Sequence, residues 1–360
     1  MKLAIVLGTR PEIIKLASII AYCEENEIDY RLIHTNQHYN YELDKIFFEE
    51  LHLPAADYSL GAGSKSHAKQ VAEMISKIED VFLREKPDCV IVQGDTNSVL
   101  AGGLTAAKMG IKVAHVEAGL RSFDRHMPEE INRIIVDSIS DILLPPTDWA
   151  RRNLLREGIS KKKIFVTGNT IVDALNRHIK LAEKKEGIFL KHRIKKNNYF
   201  LVTIHRRENT EYPKKIEDIF SAFDLLYKRY ETEFLFPAHP RTLKFIEDNN
   251  IIIPKGLSLI KPVGYLDFLN LEKNAKLILT DSGGMQEEAC ILKVPCVTLR
   301  ENTERPETLE AGSNVLAGTG TEKIIKCVEK MISTERNWKN PFGDGKSGER
   351  AVNTVKEFLS

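Results

Sequence analysis

A run of small and acidic residues, 280–288, has the composition of a phosphate-binding turn. It follows an apolar run at residues 275–279 and opens a helical pattern, so backbone N–H groups become available where a strand passes into a helix. Glu288 comes about one helical turn later, at a position from which a carboxylate can bind a sugar hydroxyl. Taken alone, the segment also fits an ordinary helix cap in which glycines allow close packing.

A second set of residues supplies charge and proton-transfer groups. The side chains with this chemistry are the cations Arg10 and Arg305, the carboxylates Asp95, Glu117 and Glu129, and the imidazole of His205. Beside a phosphate-binding turn, such groups hold negative charge and move protons as a phosphate departs, without covalent or redox help. For Asp95 and Glu117 the alternative role is a helix-cap acid, and for His205 it is a structural histidine.

These residues belong to polar clusters that directly follow predicted strands. The clusters are residues 8–12, 94–96 and 117–121 in the first half of the chain, and residues 205–209, 239–241, 281–284 and Arg300 in the second half. In open α/β sheets, ligands bind in the crevice outside the carboxyl ends of the strands. We therefore expect two sheets to gather these clusters in one functional cleft between two domains.

Other kinds of site have little support in the sequence. No Gly-x-Gly-x-x-Gly motif follows a strand pattern and no P-loop motif is present, which argues against a dinucleotide cofactor. No cluster of His, Cys and Asp residues has the spacing of a metal site. The scattered cysteines fit small core residues of a reducing compartment; they are Cys23, Cys89, Cys290, Cys296 and Cys327. We therefore predict no cofactor and no metal.

Composition narrows the class of protein. A chain of 360 residues is long enough for two domains with separate cores. Lys and Arg number 52 against 51 Asp and Glu, and no long basic run is present, so nucleic acid is not the expected partner. Neither a signal peptide nor an apolar stretch of membrane-spanning length is found, so we expect a cytoplasmic protein without membrane association.

Short apolar runs alternate with helical patterns along the whole chain. The strand patterns are residues 3–7, 31–34, 89–92, 113–116 and 164–166, then residues 200–204, 234–236, 258–260, 277–279 and 297–299. This alternation predicts the α/β class, with two Rossmann-like, doubly wound parallel sheets. We place the domain boundary near Gly168, after the last strand pattern of the first half.

Several of the polar clusters carry a resemblance to a known family. The segments concerned are residues 8–15, 93–96, 115–121, 128–133, 168–170, 205–209, 281–288, 303–307 and 340–345. Together and in this order they resemble the non-hydrolysing UDP-N-acetylglucosamine 2-epimerases. The likeness extends from Gly8 to Gly345, which is nearly the whole chain.

The resemblance implies a GT-B-like architecture and an isomerase activity. Its domains would be residues 1–168 with the acid and base groups, residues 169–340 with the UDP site, and residues 341–360 as a C-terminal helix that returns to the first domain. The implied reaction is the reversible conversion of UDP-N-acetylglucosamine to UDP-N-acetylmannosamine through anti-elimination of UDP and a 2-acetamidoglucal. A homodimer that supplies polysaccharide synthesis, without a cofactor, is also implied.

Matching motifs carry the functional residues of the family over to this chain. The implied catalytic residues are Asp95, Glu117, Glu129 and His205. The implied substrate-binding residues are Arg10, Lys15, Ser282, Gly283, Gly284, Glu288 and Arg305, with Val263 and Phe268 beside the uracil. Because the acids and the phosphate turn fall in different halves, we expect UDP binding to close the two domains on each other.

A second nucleotide-sugar site, found in bacterial members, is implied by Gln37, Arg206 and His239. Asn40 and Glu73 depart from the family pattern there, and the carboxylate of Glu73 would repel a diphosphate.

Three enzymatic alternatives and one non-enzymatic alternative remain open at this point. They are a 2-epimerase for a UDP-2,3-diacetamido sugar acid, a hydrolysing epimerase, a GT-B glycosyltransferase and a nucleotide-sugar sensor. An additional cation for a sugar carboxylate would favour the first of these, and the absence of turnover would favour the last.

Overall fold

The structure, a computed structural model, describes residues 1–37 and 47–360. The chain forms two compact units, one of residues Met1–Asn176 with Phe342–Ser360 and one of residues Arg177–Pro341. Within the described residues, each unit contains a six-stranded parallel sheet with helices packed on it. The predicted class of two doubly wound, Rossmann-like sheets is therefore confirmed. The functional domain boundaries predicted after residues 168 and 340 stay predictions.

The first unit carries a sheet with the order β3-β2-β1-β4-β5-β6. Its strands are β1 (Lys2–Leu7), β2 (Asp29–His34), β3 (Tyr58–Ser59), β4 (Cys89–Gln93), β5 (Lys112–Val116) and β6 (Ile142–Leu144). Its helices are Arg10–Glu25, His67–Glu85, Asn97–Lys108, Pro128–Ile139, Asp148–Arg156 and Ser347–Leu359, with a 3-10 turn at Lys161–Lys163. The helix Thr170–Ala182 begins in this unit and ends in the second. The strand order reverses between β1 and β4, so the turns after these two neighbouring strands flank the switch point where such sheets bind ligands.

The second unit repeats this plan with the order β12-β11-β10-β7-β8-β9. Its strands are β7 (Tyr199–Thr203), β8 (Glu233–Pro237), β9 (Leu257–Ile260), β10 (Leu277–Thr280), β11 (Cys296–Thr298) and β12 (Asn314–Leu316). Its helices are Gly187–His192, Arg207–Thr210, Pro213–Tyr230, Pro240–Asp248, Tyr265–Lys273, Gly283–Ile291, Pro306–Glu310 and Thr321–Ile332. Here the switch point lies between β7 and β10, whose following turns carry His205 and Ser282.

The central strands are buried on both faces, which explains their continuous apolar sequences. Residues 3–7 of β1 have no exposed surface, and the aromatic side chains of Phe200 and Phe234 pack with ring centroids 4.9 Å apart. Parallel strands covered by helices on both sides are expected to lack polar alternation. Nine of the ten strand patterns recognised in the sequence coincide with strands of the structure.

Short edge strands account for the differences between sequence and structure. Residues 164–166 were predicted as a strand but do not form one, since only Ile164 bridges to Leu143. The strands Tyr58–Ser59, Ile142–Leu144 and Asn314–Leu316 were not predicted. Strands of two or three residues leave little periodic pattern, although the three-residue strand β11 was recognised.

The last helix, Ser347–Leu359, packs on the helix Arg10–Glu25 within the first unit. The helices approach closely at Gly348, where an added Cβ would lie 2.7 Å from the Ser18 hydroxyl. The buried carboxylate of Asp173 accepts a hydrogen bond of 2.9 Å from the Gly348 amide, so it caps the start of this helix.

Candidate active site

The turn after β1 is organised by the buried carboxyl group of Glu12. Its Oε2 accepts hydrogen bonds from the Gly8 amide at 3.1 Å and the Thr9 hydroxyl at 2.7 Å. Its Oε1 accepts one from the Thr96 hydroxyl at 3.0 Å, in the turn after β4. Burial raises the pKa of Glu12 to about 7, although these bonds act in the opposite direction. Glu12 thus ties together the two turns that flank the switch point.

Glu117, a predicted catalytic residue, is held in one position by a buried ion pair. The ammonium group of Lys15 lies 2.7 and 2.8 Å from its two carboxylate oxygens, and the Gln93 amide also donates to it. The backbone of Glu117 has φ of 68°, a left-handed conformation that is uncommon for residues other than glycine. An added Cβ at Gly94 would lie 3.8 Å from Glu117 Oε2, so the carboxylate sits beside the turn after β4. Such strain, held by surrounding contacts, is typical of functional sites.

Asp95, in the same turn, is held by a second set of charges. Its Oδ2 accepts a hydrogen bond of 2.8 Å from Arg133, whose other nitrogen donates to buried Glu130 at 2.8 Å. Glu130 in turn accepts a bond of 2.9 Å from the Ser122 amide, which fixes the loop before the helix. Glu129 precedes Glu130 in the first turn of the helix Pro128–Ile139 and is half-buried. Arg133 therefore links the turn that carries Asp95 to the start of the helix that carries Glu129.

A fully buried network below this turn was not recognised from the sequence. His115 Nε2–H donates to the carbonyl of Gly94 at 2.8 Å, and its Nδ1 lies 2.6 Å from Asp137 Oδ1. Arg121 pairs with the same Asp137 carboxylate at 2.7 Å. Burial acts to raise the pKa of Asp137, but His115 and Arg121 outweigh it and the pKa is lowered. Only the folded structure shows that Asp137, in the last turn of the helix Pro128–Ile139, supports the turn that bears Asp95.

His205, in the turn after β7, is bound to the carboxylate of Asp281. The distance from His205 Nδ1 to Asp281 Oδ1 is 3.0 Å, and the backbone amides of His205 and Arg206 donate to Asp281 Oδ2 at 3.0 and 2.9 Å. Burial would raise the pKa of Asp281, but the bonds from His205 and Arg206 lower it. Asp281 has no exposed surface, whereas the His205 side chain is 51% exposed. A buried aspartate thus orients an accessible imidazole, as in acid–base sites that use a His–Asp pair.

The phosphate-binding turn predicted at residues 280–288 forms the start of the helix Gly283–Ile291. Ser282 is its N-cap residue and, within the described part of the chain, its side chain makes no cap bond to the helix. An added Cβ at Gly283 would lie 2.5 Å from Glu304 Oε1, so a larger residue would displace that carboxylate. The amide groups of this first turn and the helix dipole together suit a phosphate.

Buried ion pairs surround the phosphate-binding turn. Arg305 Nε lies 2.5 Å from Glu287 Oε1, and both side chains are buried. Glu304 accepts from Arg300 at 2.8 Å and from Arg206 at 3.3 Å. The sequence predicted Arg305 and Arg206 as binding residues, but it did not predict that Glu287 and Glu304 pair with them. A periodic pattern within one helix does not show which residues of other elements it contacts.

Of the other predicted binding residues, Arg10 lies in the first unit, and Val263 and Phe268 lie in the second. Arg10 stacks over the ring of Phe47, with its guanidinium carbon 5.3 Å from the centroid. Val263 lines a cavity of about 610 Å³ beside the helix Gly187–His192. Val263 and Phe268 both pack partly buried against the core of the second unit.

The residues implied for a second nucleotide-sugar site have partners of their own. Gln37 accepts from the Ser98 hydroxyl at 2.8 Å in the first unit, while Arg206 and His239 belong to the second unit. Glu73 is paired with Lys65 and with Lys77, the latter at 2.8 Å. Asn40 lies outside the described residues.

Residues 1–37 and 47–360 contain neither a candidate metal centre nor a membrane-spanning helix. Across these ranges, no group of three or more His, Cys, Asp or Glu side chains is placed to hold a metal ion. Among the same residues, no helix combines the length and the apolar character needed to span a membrane.

The chain is similar to known proteins over nearly its whole length. Residues 21–356 match the family described as UDP-N-acetylglucosamine 2-epimerase. The UDP-N-acetylglucosamine 2-epimerase of Methanocaldococcus jannaschii is 57% identical over 358 residues, which is 98% of each chain. A crystal structure of the M. jannaschii enzyme in complex with UDP-GlcNAc and UDP has a TM-score of 0.92 at 56% identity and covers 99% of this chain and 100% of that one.

A relative that is named for a different substrate is less similar to this chain than the M. jannaschii enzyme. The UDP-2,3-diacetamido-2,3-dideoxy-D-glucuronate 2-epimerase of Pseudomonas aeruginosa is 38% identical over 365 residues, which is 100% of this chain and 99% of the other.

Proposed function

Because the chain belongs to the UDP-N-acetylglucosamine 2-epimerase family, we propose that it is an isomerase that interconverts UDP-N-acetylglucosamine and UDP-N-acetylmannosamine. The observation that carries this proposal is the identity of 57% across 98% of the M. jannaschii enzyme. The oriented acids at the switch point of the first unit, buried Glu117 and half-buried Asp95, supply the proton-transfer groups that such a reaction needs.

The second unit provides a site for the departing UDP. The phosphates are bound by the amides of Gly283 and Gly284 at the helix start, while Arg305 contributes positive charge. The anomeric C1–O bond breaks with its electron pair passing to UDP, so a site that stabilises the diphosphate lowers the barrier. His205, oriented by Asp281, donates a proton or hydrogen bond to the leaving phosphate.

The first unit provides the acids that act at C2. The C2 hydrogen beside an acetamido group is not acidic, but it becomes removable as positive charge develops at C1. One carboxylate among Asp95, Glu117 and Glu129 takes this proton to form the 2-acetamidoglucal. Delivery of a proton to the opposite face by another acid, followed by return of UDP, completes the inversion. Lys15 and Gln93 fix the orientation of the Glu117 carboxylate for this transfer.

We further propose that the enzyme works as a cytoplasmic homodimer and supplies an N-acetylmannosamine donor to polysaccharide synthesis. A UDP-2,3-diacetamido sugar acid is the less favoured substrate, since the relative that acts on it is 38% identical.

Proton NMR of UDP-N-acetylglucosamine with the enzyme in deuterated water tests the proposal. We expect UDP-N-acetylmannosamine to form without added nucleotide cofactor or divalent metal. Deuterium should enter C2 of the product and, through the reverse reaction, of the remaining substrate. The Glu117→Gln enzyme serves as the matched control and should form product, with deuterium at C2, more slowly by ~10²–10⁴. Turnover that retains the C2 proton would contradict elimination, and the absence of any turnover would contradict the epimerase assignment.

A further inference from the structure

The second unit contains a buried carboxyl group that the proposed mechanism does not use. Glu272 lies near the end of the helix Tyr265–Lys273 and has no exposed surface. Among the described residues, no N–H or O–H group of another side chain or of the backbone donates to either of its oxygens. The group within hydrogen-bonding reach is the carboxylate of Glu288, on the neighbouring helix Gly283–Ile291.

Glu288 connects this buried acid to the phosphate-binding turn. An added Cβ at Gly284 would lie 3.8 Å from Glu288 Oε1, so the carboxylate lies beside the first turn of the helix. Glu288 is half-buried, whereas Glu272 is fully buried. Glu288 therefore lies next to both the phosphate-binding turn and the buried Glu272.

The two carboxyl groups hold one proton between them. Burial and the charge of Glu288 raise the pKa of Glu272 well above its ordinary value, so Glu272 keeps the proton. In its protonated form, Glu272 can donate its O–H to the Glu288 carboxylate. His178, on the helix Thr170–Ala182, contacts the Tyr265 hydroxyl at 3.4 Å. Among the described residues, the titratable groups that interact with the pair itself include Tyr265 on the same helix, Tyr199 on β7 and Cys296 on β11. Burial raises the pKa of each of them, so they add no charge near neutral pH.

We propose that Glu272 is a positioning residue that, through a hydrogen bond from its protonated carboxyl group, directs the Glu288 carboxylate toward the ribose hydroxyls of the nucleotide. The inference rests on the proposed function, because Glu288 meets a ribose only if the chain binds UDP. An apolar side chain at position 272 would bury the same volume without a polar cost. Loss of the carboxyl group should therefore weaken ribose recognition while it stabilises the fold.

The test compares binding of UDP and 2′,3′-dideoxy-UDP by calorimetry, with thermal unfolding in parallel. The full chain is used as wild type, Glu272→Gln, Glu272→Met and Lys273→Met. Lys273 is the matched control because it is the next residue on the same helix, where it pairs with Glu183 at the surface. The dideoxy ligand lacks the hydroxyls that Glu288 would bind, so it reports every other contact with the nucleotide.

We expect Glu272→Met to weaken UDP binding by about three- to tenfold, the loss typical of one hydrogen bond. Binding of dideoxy-UDP should stay within about twofold of wild type, and the melting temperature should rise. Glu272→Gln should keep UDP affinity, because an amide donates to Glu288 as the carboxyl group does. Lys273→Met should resemble wild type in both ligands.

The pH profile separates positioning from a purely structural role. As the pH rises from neutral to alkaline values, wild-type Glu272 loses its proton and repels Glu288, so the ratio of UDP affinity in wild type to that in Glu272→Gln should fall. The ratio cancels the titration of UDP itself. In Glu272→Met the affinity relative to Glu272→Gln should stay constant over the same range.

Three outcomes would overturn these expectations at different levels. If wild type binds no UDP, the proposed function fails and this inference fails with it. If wild type binds both ligands equally, Glu288 is not a ribose ligand and the inference alone fails. If wild type prefers UDP and Glu272→Met keeps the same preference and the same pH profile, Glu272 does not position Glu288.

Discussion

At the residue scale, the candidate catalytic acids are held by partners distant in the sequence. Lys15 and Glu117 are 102 residues apart in the sequence, yet their side chains form a buried ion pair. The Glu117 carboxylate also accepts a hydrogen bond from the Gln93 amide. Breaking one side of such a pair leaves a buried charge without its partner, which is more costly than removing both. The pair therefore allows a stability effect to be separated from a chemical one.

We predict that Lys15→Met destabilises the protein by about 3–5 kcal/mol, because the Glu117 carboxylate stays buried without its cation. Glu117→Gln should lower kcat by ~10²–10⁴, the usual effect of one acid–base group. The double variant should regain much of the stability that Lys15→Met loses, but none of the activity. Urea unfolding and the epimerase assay measure the two quantities. A Glu117→Gln enzyme with nearly normal kcat would remove Glu117 from proton transfer.

At the element scale, the turn after β1 depends on the buried carboxyl group of Glu12. The folded pKa of about 7 is above the ordinary value of 4.5, so the folded state binds the proton more tightly. The contribution of Glu12 to the free energy of unfolding is fully present below about pH 4.5, and it is lost as the pH rises through about 7. The turns after β1 and β4, which Glu12 joins, should loosen over the same range.

Glu12→Gln should remove this dependence, because an amide keeps a hydrogen bond to each turn without titrating. At about pH 8 we expect the free energy of unfolding of the variant to exceed that of wild type by about 1–3 kcal/mol. Near pH 4.5 the two free energies of unfolding should be nearly equal. Urea unfolding across this range measures the difference. Glu79→Gln, an exposed substitution on the helix His67–Glu85, is the control and should follow wild type. A constant difference between Glu12→Gln and wild type at every pH would contradict the linkage.

Features that depend on neighbouring residues could be predicted from the sequence, whereas contacts between residues far apart in the chain could not. The turns that carry Asp95, Glu117, His205 and Ser282 were all placed correctly after strands, since apolar runs and small residues are local signals. The partners of these residues were not predicted. Asp281 stands 76 residues from His205, and no periodic pattern connects them. The same holds for Glu272, which sits in an apolar helix pattern and gives no sign in the sequence that it faces Glu288.

At the scale of the whole molecule, the two units carry different parts of the proposed chemistry. Asp95, Glu117 and Glu129 belong to the unit of residues Met1–Asn176 with Phe342–Ser360. The phosphate-binding turn and Arg305 belong to the unit of residues Arg177–Pro341. Binding of UDP and transfer of the C2 proton should therefore respond to different substitutions.

We predict that Asp95→Asn and Glu129→Gln lower kcat by ~10²–10⁴ while UDP affinity stays within about twofold of wild type. Arg305→Gln should weaken UDP binding by at least about tenfold, because it removes a buried cation beside the phosphate-binding turn. Since that change also leaves Glu287 without its partner, Arg305→Gln/Glu287→Gln is needed as the control for folding. Calorimetry with UDP and the epimerase assay on the same preparations give both quantities. If the acid variants lost UDP affinity as strongly as Arg305→Gln, the acids would be binding groups for the nucleotide, and the division of roles between the units would be wrong.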